Sequence, residues 1–476
     1  MTKPNILNLT FIGLGLVLFI FVLYRAIVLS ITYDEVWLFY LASLPCSEIM
    51  YDPNSFQSAN NHVLNTLLVK LVLLIDDKTI WLIRLPNVLA FVLYYISAVA
   101  LFKQISTNKI FQLSGVLLAS CMPFVLDFFS LSRGYGLALS FQLCSLACLL
   151  IYLNRFQYKY LIIGFATAAL AVYSNFTWLN FFLATWGVFN LIVYFFTPKR
   201  KTIVSFIKLN LPALCCTIIL AILTLKPITY LRQQDEFKWG SNAWIDSFHH
   251  FAKDLNYSNS FAFAVFTQVF VFALFVSAVY LIFKNFHKKA STQFSKFLFV
   301  FILLCTLITI TIAQRFLLNV MYIDGRKALM YFIFVPLLFL FCLELLVKSN
   351  THFKNSIALL FTVLFIGYSA FKINPKACKE WWFDEYNAEV LEYINKHQIP
   401  DHNGITISWS FGSSFNFYNK MVYNYKLNPI EIIDDKIIND TSAYYYIMHE
   451  DKSKVPQNYI LVKQFGELGF LYQNTQ

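Results

Sequence analysis

The sequence predicts an all-α polytopic membrane bundle of about eleven transmembrane helices with a small α/β domain at its C-terminal end. Three observations predict it. Hydrophobic residues make up 58% and charged residues 13% of the 476 positions, whereas an ordinary soluble chain has about 25% charged residues. Apolar runs of span length recur from residue 8 to residue 371 and then stop. A polar stretch of roughly one hundred residues follows, long enough for a small domain. So few charges cannot clothe so apolar a body in water, which excludes a soluble enzyme and a disordered chain.

Crossing the hydrocarbon core takes roughly 17–25 apolar residues. Such runs lie near 8–30, 79–102, 110–130, 134–153, 159–174, 177–197, 204–226, 261–283, 295–313, 327–347 and 354–371. The first is too long, and too poor in small residues at its end, for a cleaved leader; it reads as an uncleaved anchor. Basic residues in short loops then set the orientation. Lys103 and Lys109, Arg155 and Lys159, and Lys199, Arg200, Lys201 and Lys208 occupy alternate loops. Lys284, Lys288, Lys289 and Lys296, and then Lys348 and Lys354, continue the set, with Lys3 on the same side. No Asp or Glu accompanies them there, so this side is cytoplasmic. The net charge of +11 is then largely a topology signal and not the footprint of a nucleic-acid partner.

The opposite loops, 31–62, 227–260 and 314–326, are longer and mix acids, bases, His, Asn and Trp. An odd span count places the polar tail on this outer side of a bacterial inner or plasma membrane. The expected division is 1–371, a membrane domain with its first outer loop at 31–78, and 372–476, an extracytoplasmic α/β domain. Within the latter, 385–397 reads as a helix and 404–409, 443–448 and 459–464 as strands. Most of the nine cysteines sit inside apolar runs as small hydrophobes. Cys46 and Cys378 lie outside them and are candidates for a pair across the outer face.

Candidate chemistry gathers on the outer side. The first loop opens with Thr32-Tyr33-Asp34-Glu35-Val36-Trp37, directly after a span. A carboxylate there suits general-base work; the alternative is an acid pair favoured by a helix N-terminus. Asn60-Asn61-His62 follows, where His62 is either a donor to an anion or a structural histidine. Ser132-Arg133-Gly134-Tyr135-Gly136 offers a guanidinium for a phosphate beside glycines that permit close approach. Its alternative is an arginine snorkelling to headgroups. Asp324-Gly325-Arg326-Lys327 repeats that pattern, with Arg315 a few residues earlier.

Four segments resemble motifs of the GT-C-type polytopic glycosyltransferases, the group containing protein O-mannosyltransferases and the lipid A aminoarabinose transferase (family 39 and its bacterial relatives). Tyr33-Asp34-Glu35 through Tyr40-Leu41-Ala42 is similar to the acidic motif of the first outer loop. Asn61-His62-Val63-Leu64, followed by Leu67-Leu68-Val69-Lys70-Leu71, resembles a His-Pro-Pro-Leu segment, with Val63 in place of a Pro. Ser132-Arg133-Gly134-Tyr135-Gly136-Leu137 resembles an Arg-x-Tyr-x-Leu helix start. Gly325-Arg326-Lys327-Ala328-Leu329-Met330-Tyr331, with Pro336 beyond, resembles a late Arg-Tyr-Leu…Pro helix in which Lys327 replaces the common Tyr. With the span pattern, the resemblance covers about residues 8–371.

The resemblance implies transfer of a sugar from a polyprenyl-phosphate donor to an acceptor hydroxyl on a glycan, lipid or protein, outside the cytoplasm. Asp34 is the expected base, with Glu35 supporting or positioning it. Arg133 and Arg326 are the first candidates to meet the departing phosphate, joined by His62, Lys70, Tyr135 and Arg315. A single displacement with inversion is expected, with no cofactor; Asp34, Glu35 and His62 form the alternative, a divalent-metal set. Two other readings compete. A transporter or flippase of a lipid-linked saccharide would rest on Glu344. An oligosaccharyltransferase or glycan ligase would rest on Trp381-Trp382-Phe383-Asp384-Glu385-Tyr386, whose alternative is an aromatic interface belt before a helix.

Overall fold

The computed structural model describes residues 6–196, 202–285, 291–347, 350–397, 404–426, 430–433, 442–467 and 469–475. Lys3, Lys199, Arg200, Lys201, Lys288, Lys289 and Lys348 lie outside the described residues. The chain is an integral, multi-pass membrane protein: every one of the eleven apolar runs is helical, and nine described helical stretches are long and apolar enough to span.

The first span is α1 (Ile6–Val28). The loop after it folds into α2 (Tyr33–Ser43), α3 (Cys46–Tyr51) and α4 (Val63–Leu73). A 3₁₀ turn at Ile80–Arg84 leads into α5 (Leu85–Phe102). One predicted span is broken into α6 (Lys109–Ser120) and α7 (Pro123–Phe129), which meet at 64°. Pro123 lacks an N–H for the ladder and keeps Met122 extended, so the helix must stop and restart.

Next come α8 (Gly134–Arg155), α9 (Tyr158–Ser174) and α10 (Leu179–Phe196). The 17 residues of α9 reach about 25 Å, a little short of a hydrocarbon core of roughly 30 Å. α11 (Ile203–Gln233) runs on past its apolar segment, so the loop expected from residue 227 begins as helix. After it come an amphipathic α12 (Trp244–Leu255), then α13 (Phe261–Asn285), α14 (Thr292–Leu318), α15 (Phe334–Leu346) and α16 (Thr351–Lys372). The central helix is α8, buried along most of its length. Ile222 of α11, Phe266 of α13 and Leu364 of α16 point outward, as lipid-facing side chains do.

Polar contacts gather the two ends of the bundle separately. Lys296 donates to the Gln104 carbonyl at 3.2 Å and Asn108 to Asn355 at 2.6 Å. Lys354 pairs with Glu344 at 2.9 Å, so basic loops distant in sequence meet at one end. At the other end of α1, Arg25 pairs with Asp127 at 2.7 Å and donates to the Ala377 carbonyl at 2.7 Å.

Beyond α16 the chain forms α17 (Asn387–Lys396), β1 (Ile405–Ile407), α18 (Gly412–Met421), β2 (Ile430–Ile432), β3 (Tyr444–Met448), β4 (Tyr459–Phe465) and β5 (Gly469–Asn474). The sheet order is β2-β1-β3-β5-β4, with β1 parallel to β2 and β3, and β5 antiparallel to β3 and β4. Successive side chains of a strand face opposite ways. Tyr444 and Tyr446 accordingly pack on α17 and α18, and Tyr445 and Ile447 fill the other face with Phe470. The first face shares its core with the loop after α1: Val36, Leu38 and Ala42 of α2 pack with Val390, Phe415 and Phe417. The Ile31 amide donates to the Tyr418 hydroxyl at 2.8 Å. Cys46 and Cys378 are both free, Cys46 exposed on α3 and Cys378 buried, so the candidate pairing does not form.

Candidate functional site

The acid pair begins α2, and its two members face different partners. Glu35 is fully buried against Arg84, which donates Nε at 2.8 Å and Nη2 at 2.7 Å. The Ser132 amide (2.7 Å), the Thr32 amide (3.0 Å) and the Thr32 hydroxyl (3.1 Å) donate to the same carboxylate. Burial opposes its charge, yet the Arg84 guanidinium holds the Glu35 carboxyl below the usual carboxylate range. Arg84 also donates to the Ala26, Leu29 and Ser30 carbonyls, each at 2.8 Å, closing the end of α1. Glu35 is thus a positioning residue that ties α1, α2 and the Ser132 turn together.

Asp34 turns the other way. Its Oδ2 lies 3.2 Å from Arg133 Nη2 and 3.2 Å from Arg326 Nη1. Arg133 is buried, and also donates to Asn60 Oδ1 at 3.0 Å and to the Asp34 carbonyl at 3.4 Å. Arg326 is 28% exposed, lies beside Tyr135 and stands 3.7 Å from Glu380. Of the cluster's two guanidiniums, it is the one open to an incoming group.

Both guanidiniums lie over Trp381, at 5.7 Å for Arg133 and 5.0 Å for Arg326. Two cations facing one ring are held by its quadrupole. Trp381 is buried here, so the interface-belt reading does not apply to it, while Trp382 beside it is exposed. Residues 377–385 lie as a strap across this end of the bundle. The Lys379 amide donates to Asp127 at 3.1 Å, and the Tyr33 amide donates to Asp384 at 2.8 Å.

His62 caps the start of α4, buried with its ring 5.1 Å from that of Tyr135. A Cβ on Gly134 would collide with His62 and the Ser174 carbonyl, which is the close approach that this glycine permits. Burial first, then the fields of Arg133 and Arg326, keep the His62 pKa well below the usual imidazole value. The expected donor to an anion is therefore a neutral ring and not a cation. Tyr135 completes the wall, against Phe128 at 4.9 Å.

Two expected members are elsewhere. Lys70 sits two turns along α4 and donates to the Leu44 carbonyl at 2.7 Å and the Ala42 carbonyl at 3.4 Å. It closes the C-terminus of α2, where the exposed carbonyls attract a cation, and is not part of the cluster. Arg315 lies in the last turn of α14, beside Met321 (3.2 Å) and Asn319 (3.5 Å), and does not join Asp34. Asp34, Glu35 and His62 do not form a ligand set, and among the described residues no group of three His, Cys, Asp or Glu is placed to hold a metal.

Sequence reasoning missed Arg84 and Glu380, and read Trp381 only as part of a glycan-ligase-like segment or an interface belt. An arginine at the head of an apolar run demands a buried partner, which was the available signal for Arg84. No comparable signal marked Glu380.

No protein-family profile matches the sequence, and no curated protein matches it. The chain is similar to solved structures of sugar-transfer enzymes. The Archaeoglobus fulgidus oligosaccharyltransferase, in complex with zinc and sulfate, is 13% identical, with 91% of this chain and 68% of that chain covered at a TM-score of 0.47. ArnT from Cupriavidus metallidurans bound to undecaprenyl phosphate is 12% identical, with 98% and 97% covered at 0.44. The arabinosyltransferase EmbB from Mycobacterium smegmatis is 12% identical, with 79% and 42% covered at 0.38.

Proposed function

We propose that the chain is a glycosyltransferase of the GT-C type that moves a sugar from a polyprenyl-phosphate donor to an acceptor hydroxyl on the extracytoplasmic face. The observation that carries the reading is the Asp34 carboxylate, flanked at 3.2 Å by both Arg133 and Arg326. A donor phosphate competes with Asp34 for those two guanidiniums. Its arrival engages the cations and frees the carboxylate for the acceptor. The hydroxyl oxygen then attacks the anomeric carbon as Asp34 takes its proton. The bond from that carbon to the phosphate oxygen breaks, and the new phosphate charge falls on fixed guanidiniums that need no reorganisation. Retention would need a second carboxylate about 5–5.5 Å away. Glu35 is committed to Arg84 and does not supply it; the reading adopted is a single displacement with inversion.

A lipid carrier also needs an apolar path. A crevice of about 110 Å³, lined by Phe248, Phe251, Leu274, Phe275, Ala328 and Tyr331, starts within one turn of Arg326. The orientation rests on the basic loops, which collect at the end of the bundle away from Asp34. The glutamate that a transporter would need, Glu344, is paired with Lys354 at that far end.

The test is transfer in proteoliposomes supplied with undecaprenyl-phosphate-linked radiolabelled sugar and envelope acceptors, without any ion gradient. Covalent attachment of label supports the reading. Label that crosses the membrane but remains on its carrier makes the protein a transporter.

A further inference from the structure

A second polar feature adjoins the cluster and plays no part in the steps above. An open cleft of about 370 Å³ lies between α12, the Asp324-Gly325 turn and the strap, and His250, Lys253, Asp254, Asn259, Asp324 and Glu380 line it. Its size falls within the roughly 300–1,000 Å³ typical of small-ligand clefts. It reaches the reacting cluster through Glu380, 3.7 Å from Arg326, which in turn stands 3.2 Å from Asp34.

The walls are held from several sides. Lys379 of the strap pairs with Asp254 at 2.7 Å and donates to the Lys253 carbonyl at 2.9 Å, fixing α12 against the strap. Ser241 donates to Asp324 at 2.7 Å, and His250 stands 3.4 Å from the same oxygen. Ser247 of α12 donates to the Ile323 carbonyl. Any side chain at Gly325, which has φ +52°, would press on Glu380 at 3.0 Å.

The charges of the lining are unequal in their compensation. Asp254 holds Lys379 at 2.7 Å, and Lys379 acts on Glu380 only from farther away. Glu380 shares Arg326 with Asp34 at the longer distance, and the hydrogen-bond partners of Asp324 are a hydroxyl and an imidazole, with Lys327 near enough to act on it. Among the described residues of the lining, Lys253 is the one lysine. Carboxylates accept hydrogen bonds from hydroxyls, whereas the imidazole, the amide and the ammonium donate to ring and hydroxyl oxygens.

The geometry points to this cleft as the pocket for the sugar of the donor, taking an uncharged, hydroxyl-rich ring and rejecting an anionic one. The inference rests on the transferase reading and adds substrate class to it. A sugar seated there has its anomeric carbon toward Arg326 and Asp34. A uronic acid brings its carboxylate against Asp324 and Glu380, and like charges across a binding surface exclude a ligand.

The experiment measures binding of three probes to the full chain in nanodiscs: undecaprenyl phosphate, undecaprenyl phosphoryl-glucose and undecaprenyl phosphoryl-glucuronate. The glucosyl lipid is expected to bind about tenfold more tightly than the glucuronyl lipid. Asp324→Asn/Glu380→Gln reduces that ratio to below about threefold and still binds the bare carrier. His250→Ala, a change at a half-exposed position, weakens the glucosyl lipid and leaves the bare carrier unaffected. Equal binding of the two glycolipids by the wild type overturns the inference, as does a folded double variant that keeps the full ratio. Binding of the bare carrier without discrimination removes the cleft's role alone. No binding of undecaprenyl phosphate overturns the transferase reading and the inference with it.

Discussion

Two adjacent acids are assigned opposite tasks, and the pair formed by Glu35 and Arg84 tests that assignment through stability. Both side chains are fully buried, joined at 2.8 and 2.7 Å. Removing one partner of a buried ion pair leaves an uncompensated charge and costs about 3–5 kcal/mol. Glu35→Gln strands the guanidinium. Arg84→Met strands the carboxylate and also the Ala26, Leu29 and Ser30 carbonyls. An unsatisfied buried acceptor costs about 1–3 kcal/mol, so Arg84→Met is the more damaging single change. The double variant carries neither charge, and its cost falls short of the sum by about 2–3 kcal/mol. The assay is unfolding of the four proteins in mixed micelles, followed by tryptophan fluorescence. Additivity to within about 0.5 kcal/mol refutes the reasoning, because it would mean that the two groups do not depend on each other. At a temperature where Glu35→Gln is still folded, its transfer activity stays within about tenfold of wild type, since a positioning group is not consumed in the proton transfer.

Three further outcomes follow from the geometry. Trp381→Phe keeps most of the undecaprenyl phosphate affinity, measured by competition binding, whereas Trp381→Ala loses the ring that holds Arg133 and Arg326, worth about 0.5–2 kcal/mol. His62, whose pKa is lowered in the fold, binds its proton less readily there than in the unfolded chain, where the value is about 6.5. Stability is therefore fully present above that value and falls as the pH drops below it, by up to about 1.4 kcal/mol per unit. In pH-dependent unfolding this slope disappears in His62→Gln. Lys70→Ala and Arg315→Ala leave the KM for donor unchanged in transfer kinetics, because both side chains are bonded away from the cluster.

The spans were legible because each is a local property of about twenty consecutive residues. The bend between α6 and α7 went unread, although Pro123 inside the run marks it. Asp34, Arg133 and Arg326 were legible as candidates because each charge stands at the edge of an apolar run. Their meeting at one oxygen is set by packing across nearly three hundred residues of sequence, which no local pattern records. Lys70 and Arg315 misled for the same reason: closeness in the chain to His62 and Arg326 does not bring a side chain to the same place. The helix at 385–397 and three strands were readable from composition. β2 has only three residues, and α18 begins Gly412-Ser413-Ser414, a run of weak helix formers that hides it. The strap was hardest, since Trp381 reads as an interfacial aromatic until its two cationic neighbours are seen.

The central claim is that Asp34 takes the proton of the acceptor hydroxyl while the arginines beside it receive the phosphate. The most direct measurement compares wild type with Asp34→Asn in transfer from an undecaprenyl-phosphate-linked sugar, with undecaprenyl phosphate binding measured on the same preparations. The account predicts carrier binding that is kept and turnover reduced by about 10²–10⁴. Turnover equal to that of wild type would contradict it.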